Sequence, residues 1–337
     1  SYMIRPKTGY IRINRFGATT VEEFNKALKD LQKKGMKDLI LDLQGNGGGY
    51  LNAAIDLAND FLNSKELIVY TEGRTSKRSE FFAKGNGNFK KGRLIVLIDE
   101  FSASASEIVS GAVQDWDRGI VVGRRSFGKG LVQRPVDLPD GSMIRLTVAR
   151  YYTPAGRSIQ KPYHSSNSEG STHSSGEENR ESYNRELIER YNSGEMLSAD
   201  SIHFPDSLRY QTKRLGRTVY GGGGIMPDYF VPIDTTMYTD YHRKLVNKGI
   251  ILKATTRYIE NNRKSLSEKY KDFKPFNEHF KIDEEMLNMV KEMATNENIT
   301  YNEERYQASL PLLTAQLKAF IARDLWNMNE YFQIINE

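Results

Sequence analysis

The 337-residue chain contains no cysteine. Disulfides, thiolate catalysis and cysteine-ligated metals are therefore excluded. It has no apolar run of about 18 residues, so nothing in it reads as a membrane-spanning helix. It has no HExxH and no clustered Asp/His set, so no metal site is expected. Basic residues exceed acidic ones by five, 48 against 43. They never run five in a row, and so diffuse an excess argues against a nucleic-acid partner. The chain opens at SYMIRPKTGYIRI, directly into strand-like sequence, and shows no signal-peptide pattern; any export signal or lipid anchor is expected to lie outside it. A cysteine-free chain suits the periplasm or the cell surface.

What is present is enough for two folded units, at about 150 residues each. Hydrophobic residues make up 38% and aromatics 11%, ample for a core. Residues 10–160 alternate strand and helix patterns. YIRINRF (10–16) alternates apolar and polar. Thr20 with Glu23 reads as a capping box, followed by Val21, Phe24, Leu28 and Leu31 at helical spacing. DLILDL (38–43) has the continuous apolar character of a buried strand and runs into the glycine turn QGNGGG. Further strands are expected at 67–70, 93–99, 119–123, 131–138 and 143–152, and a helix opens in SASASEIV. This alternation predicts an α/β core. After Gln160 the chain turns polar; 164–182 reads as a flexible loop, followed by a helical stretch near 183–193. From about 236 onward it reads as charged amphipathic helices.

FSASASEIV carries three serines, at 102, 104 and 106, where a helix begins. Serine catalysis needs a base at the hydroxyl. The five histidines, at 164, 173, 203, 242 and 279, all lie outside the α/β core and read as surface residues, which disfavours a Ser-His-Asp triad. Lysine is the other candidate base, and must be neutral to act. Lys129 sits between glycines in SFGKGLVQ, between two strands, where it reads either as a surface turn lysine or as that base. GRRSFGKG resembles a P-loop, but Gly130 stands where Ser or Thr would hold magnesium, and a strand follows instead of a helix. GNGGG (45–49) is a plain strand-to-helix turn or a source of bare amides for an oxyanion.

TGYIRI, LILDLQGNGGGYLNAAIDLANDFL, RLIVLIDEFSASASEIVSGAVQD, VVGRRSFGKGLVQ and LTVARYYTPAGRSIQ occur in an order that resembles the C-terminal processing peptidases, or tail-specific proteases. Residues 8–160 carry the resemblance, and GIMPDYFVP (224–232) continues it. It implies an α/β fold with a Clp-protease/crotonase-like core and a serine endopeptidase that cuts proteins or peptides near C-termini through an acyl-enzyme. It further implies Ser104 as nucleophile, Lys129 as base, Gln133 as the base's support, and an oxyanion hole from the amides of Ala105 and Gly48, with Gly49 next in line. On a strand, Lys129 and Gln133 would share a face. No cofactor is implied. A protein or peptide substrate is the expected partner, an oligomer is allowed, and the location is periplasmic or cell-envelope associated in a bacterium, with the export signal outside this chain.

The chain departs from the family at LDLQGNGGG, where Gln44, Gly45 and Gly47 stand in for the usual Arg, Asn and Pro. Family members usually carry a PDZ domain before the GYIRI strand; eight residues precede it in this chain, which is expected to be either a catalytic fragment or a member without that module. The expected layout is a peptidase core at 1–160, an insertion at 161–220, a return to the core at 221–235 and a helical region at 236–337. The alternative to an active peptidase is a silent or latent peptide-binding member of the same fold.

Overall fold

The computed structural model describes residues 1–161, 185 and 187–337. The chain divides into two compact units, Met3–Pro232 and Ile233–Glu337. The loop expected at 164–182 lies outside the described residues.

The first unit is built on a six-stranded sheet. In chain order its strands are β1 (Tyr2–Arg5), β2 (Thr8–Arg12), β3 (Asp38–Asp42), β6 (Leu94–Ile98), β7 (Ile120–Gly123) and β12 (Tyr229–Phe230), and they neighbour one another in that order. From β2 to β12 every pairing is parallel. The apolar runs DLILD and LIVLI bury Leu39, Leu41, Leu94, Val96 and Ile98, as strands covered on both faces must. Helices α1 (Thr20–Lys33), α2 (Leu51–Asn59) and α3 (Ala105–Asp115) supply the cover. α1 turns Phe24, Leu28 and Leu31 inward, the stripe its spacing predicts. α3 is buried along its whole length, and its run of Ala, Ser, Gly and Val lets other elements pack close on every side.

A second sheet is antiparallel, in the order β5-β4-β9-β8, from β5 (Ser79–Phe82), β4 (Leu67–Glu72), β9 (Met143–Tyr152) and β8 (Leu131–Asp137). β8 is therefore an edge strand. A small ribbon pairs β10 (Arg209–Gln211) with β11 (Thr218–Tyr220).

Two expectations need correction. The first helix begins at Thr20, so its N-cap lies one residue earlier than expected. Thr19 is the N-cap, and its hydroxyl donates to Glu23 at 2.6 Å. Thr20 instead accepts the Gly17 amide, 2.9 Å away. Strands β5, β10, β11 and β12 are not foreseen, because each is two to four residues long and so carries almost no periodicity.

The second unit is helical, as its amphipathic pattern predicted: α4 (Asp240–Asn247), α5 (Ile250–Lys269), α6 (Phe273–His279), α7 (Glu284–Asn296), α8 (Glu303–Leu325) and α9 (Met328–Ile335). Thr239, Asp283, Asn302 and Asn327 cap four of these helices through side-chain oxygens. Leu245, Ile250, Phe276, Val290, Leu313 and Leu317 form its core. His242 lies fully buried in this unit, which overturns its reading as a surface histidine. A histidine on the apolar side of an amphipathic helix follows that face inward. His203 and His279 are exposed.

Candidate active site

The parallel sheet brings the motifs together. β3 ends into Gly45–Gly49, β6 ends into Ser102–Ser106, and β7 ends into Phe127–Gly130. β3 pairs with β6 and β6 with β7, in register to Asp42–Leu97 and Ile98–Gly123. The three loops thus leave neighbouring strands at the same carboxyl edge, where open α/β sheets place their sites.

The three serines are sorted by burial. Ser102 and Ser106 are fully buried. Ser102 Oγ donates to the Leu43 carbonyl at 2.8 Å, and Ser106 Oγ to the Asn46 carbonyl at 2.9 Å. Both hydroxyls tie the serine loop to the glycine turn. Ser104 is the partly exposed one of the three. It caps α3 with φ 55° and ψ −109°, a region that a side chain enters only at a cost of about 1–3 kcal/mol. Ala105, the next residue, begins the helix, so its N–H has no acceptor within α3.

Gly48 lies against this turn. A Cβ built on it would meet the Ala103 carbonyl oxygen at 2.7 Å, Ser104 Cβ at 2.8 Å and Ala105 N at 3.0 Å, and its φ is +95°. Only glycine fits. The Gly48 N–H donates to Asn46 Oδ1 at 2.9 Å, so in this arrangement it is engaged. Gly49 is equally crowded, by the Phe16 carbonyl.

Glu107, fully buried one turn into α3, accepts four hydrogen bonds. They come from the Ser104 N–H at 2.7 Å, the Ser126 hydroxyl at 2.6 Å, the Gly128 N–H at 2.7 Å and the Lys129 N–H at 2.9 Å. Burial pushes its pKa above the ordinary carboxyl range, and the four donors offset only part of that push. Asp99 plays a similar part at the glycine turn. It accepts the Gly45 N–H at 2.9 Å, the Phe101 N–H at 3.0 Å and the Ser102 hydroxyl at 3.1 Å, and burial likewise raises its pKa. Asn46, buried completely, donates to the Ile13 carbonyl at 2.7 Å and accepts the Ala103 N–H on its own carbonyl at 2.9 Å. Sequence reasoning missed all three as site residues. Only Glu107 left a signal: Ser104 with Glu107 is a serine followed three positions on by a glutamate.

The turn also has an ion pair at its base. Arg12 of β2 pairs with Asp42, which also takes the Tyr10 hydroxyl, and Arg12 Nη2 donates to the Gln44 carbonyl at 2.7 Å. A guanidinium thus sits beside Gln44, supplied by a different strand.

Lys129 stands just before β8. Its backbone is fixed by Glu107, but its side chain is exposed. Among the described residues, no hydrogen bond joins Ser104 Oγ to Lys129 Nζ. Gln133, on β8 itself, is also exposed and pairs with Thr147; because Lys129 precedes the strand and the pairing shifts register between Val132 and Gln133, the two do not share one strand face, contrary to expectation. The backbones of Ser104 and Lys129 are therefore brought together through one carboxylate, while Lys129 itself is exposed. No group of His, Asp or Glu suited to a metal ion occurs among the described residues.

Comparison with known sequences fits this geometry. Residues 7–165 match the sequence model of Peptidase family S41, and residues 241–327 match a family of unknown function. A carboxyl-terminal-processing protease of Picosynechococcus sp. is 44% identical over 155 residues, covering 46% of this chain and 37% of that protein. A carboxy-terminal processing protease of Bacillus subtilis is 39% identical over 154 residues, covering 45% of this chain and 32% of that one. A solved photosystem II D1 C-terminal processing protease is 39% identical, with a TM-score of 0.43, covering 45% of this chain and 39% of its own. The chain thus spans between 32% and 39% of the length of these relatives.

Proposed function

With residues 7–165 matching peptidase family S41, we propose that this chain is a serine endopeptidase that cleaves protein or peptide chains near their C-termini, with Ser104 and Lys129 as its dyad. The observation that carries the reading is Glu107. One buried carboxylate oxygen holds the amides of both residues, so the nucleophile and the base come from two loops locked to one point. The strained φ of Ser104 supports the same reading, because such backbone is retained where geometry matters more than stability.

Neutral Lys129 takes the proton of Ser104 Oγ, and Oγ attacks the substrate carbonyl carbon. The oxyanion is met by the Ala105 N–H and by a glycine N–H from the 48–49 turn. Gly48 is the first choice, serving once its N–H leaves Asn46, with Gly49 next. Lys129 then protonates the departing amine, and water releases the acyl group. The exposed lysine must swing in and lose water before it acts. A bound substrate covering the edge strand β8 does both, and Gln133 on that strand then steadies the amine. A bacterial periplasmic or cell-envelope setting suits such an enzyme. The test is incubation of the protein and its Ser104→Ala variant with unfolded casein, products read by mass spectrometry. Cleavage by the first and not the second supports the reading. Equal cleavage by both removes Ser104 from it.

The exposure of Lys129 supports the latent alternative, since among the described residues no hydrogen bond joins its side chain to Ser104. Peptides that bind without being cut by the wild-type chain would favour that reading.

A further inference from the structure

The stretch after Gln160 has no role in the dyad, yet part of it grips the loop that carries Lys129. Arg125, in the turn after β7, presents its guanidinium to Glu195 in a two-pronged pair, Nε to Oε1 at 2.8 Å and Nη2 to Oε2 at 2.7 Å. Arg190 Nε also donates to Glu195 Oε1, at 2.7 Å, and Arg190 Nη2 reaches back to the Arg125 carbonyl at 2.8 Å. The remaining Arg125 arm, Nη1, donates to the Gly223 carbonyl at 3.0 Å. The Arg125, Glu195 and Arg190 side chains are 19%, 12% and 7% exposed. Planar guanidinium forks closed on one carboxylate at this burial hold geometry far better than a surface pair does.

The next residue along the turn continues the chain of contacts. The Ser126 N–H donates to the Ile225 carbonyl at 3.1 Å, and its hydroxyl donates to Glu107. Gly128 and Lys129 then place their amides on the same Glu107. Residues 125–129 are therefore held from two sides: Glu107 of α3 on one, and Glu195 with Arg190 on the other.

We propose that Glu195 is a positioning residue for the base, clamping Arg125 so that the turn delivers Lys129 toward Ser104. The proposal rests on the Ser104–Lys129 reading above. Glu195 touches neither substrate nor the reacting atoms. It acts through Arg125 and the backbone, where an error of about 1 Å is enough to cost about 100-fold in rate.

The test uses the full chain as wild type, Glu195→Gln and Glu195→Asp. Kinetics on a casein-derived peptide are paired with amide hydrogen exchange at Gly128 and Lys129. Glu195→Gln is expected to lower kcat about 10- to 100-fold with KM nearly unchanged, and to speed exchange at those two amides alone. Glu195→Asp, which keeps the charge, should recover part of both. Unchanged kcat and exchange would overturn the proposal. So would faster exchange throughout the α/β unit with a lowered melting temperature, since that marks a purely structural role. Should the wild type show no Ser104-dependent cleavage, the dyad reading fails by itself, and the exchange pattern still decides whether Glu195 holds the turn.

Discussion

Glu107 Oε2 accepts the backbone N–H of Ser104 at 2.7 Å and that of Lys129 at 2.9 Å. Residues 25 positions apart in sequence are therefore held by a single atom, and what happens to that atom should be felt at both.

Glu107→Gln tests this. Whichever way the amide turns, its NH2 faces at least one backbone N–H, either that of Gly128 or those of Ser104 and Lys129. A buried donor without an acceptor costs about 1–3 kcal/mol. The variant should lose about that much in urea denaturation and should lose nearly all cleavage, though it touches neither reacting atom.

Gly48→Ala should fail by overlap. The added methyl would stand 2.7 Å from the Ala103 carbonyl oxygen and 2.8 Å from Ser104 Cβ, on a φ of +95°. Overpacking of this kind costs about 1–3 kcal/mol. Cleavage assayed beside thermal denaturation should show activity gone while a folded protein remains.

The three serines should separate cleanly. Ser102→Ala and Ser106→Ala each remove a buried hydroxyl bonded to a carbonyl, and each should cost about 1 kcal/mol of stability while Ser104-dependent cleavage persists. Ser104→Ala should abolish cleavage with little effect on folding. Ser104→Gly should be dead as well but more stable than Ser104→Ala by about 1 kcal/mol, because glycine accepts the positive φ at no steric cost.

Lys129→Ala and Lys129→Arg should both be inactive, the second because a guanidinium does not give up its proton at working pH.

His242 predicts the behaviour of the helical unit. Burial holds its pKa below the ordinary value of 6.5, with Gln316 pulling the other way. The unfolded chain then binds the proton more readily than the folded one. Stability is full above pH 6.5 and is lost as pH falls from there toward the folded pKa. Thermal denaturation between pH 7.5 and 5 should show this slope in the wild type and a shallower one in His242→Phe. Equal slopes would mean that the buried imidazole takes up its proton at no cost.

The sequence by itself determined the α/β core, the helical C-terminal stretch and the residues worth testing. Strand and helix periodicity are local properties, and the serine, lysine and glycine motifs each lie within a few contiguous residues at the end of one strand. Topology then needed only parallel neighbours, β3, β6 and β7, to gather them at one edge. What only the tertiary structure decided depends on contacts between distant segments. Glu107, which nothing in the local pattern singled out as a site residue, caps the Ser104 turn and binds the lysine loop as well. Asn46 lay in the glycine turn and Asp99 at the end of an expected strand, and both proved to tie the glycine and serine loops together. Glu195, in a stretch with no motif, reached Arg125 seventy residues earlier. His242 went into a core and the Lys129 side chain out into solvent. Burial and long-range hydrogen bonding are set by what packs against a residue, and no window of neighbouring sequence contains that.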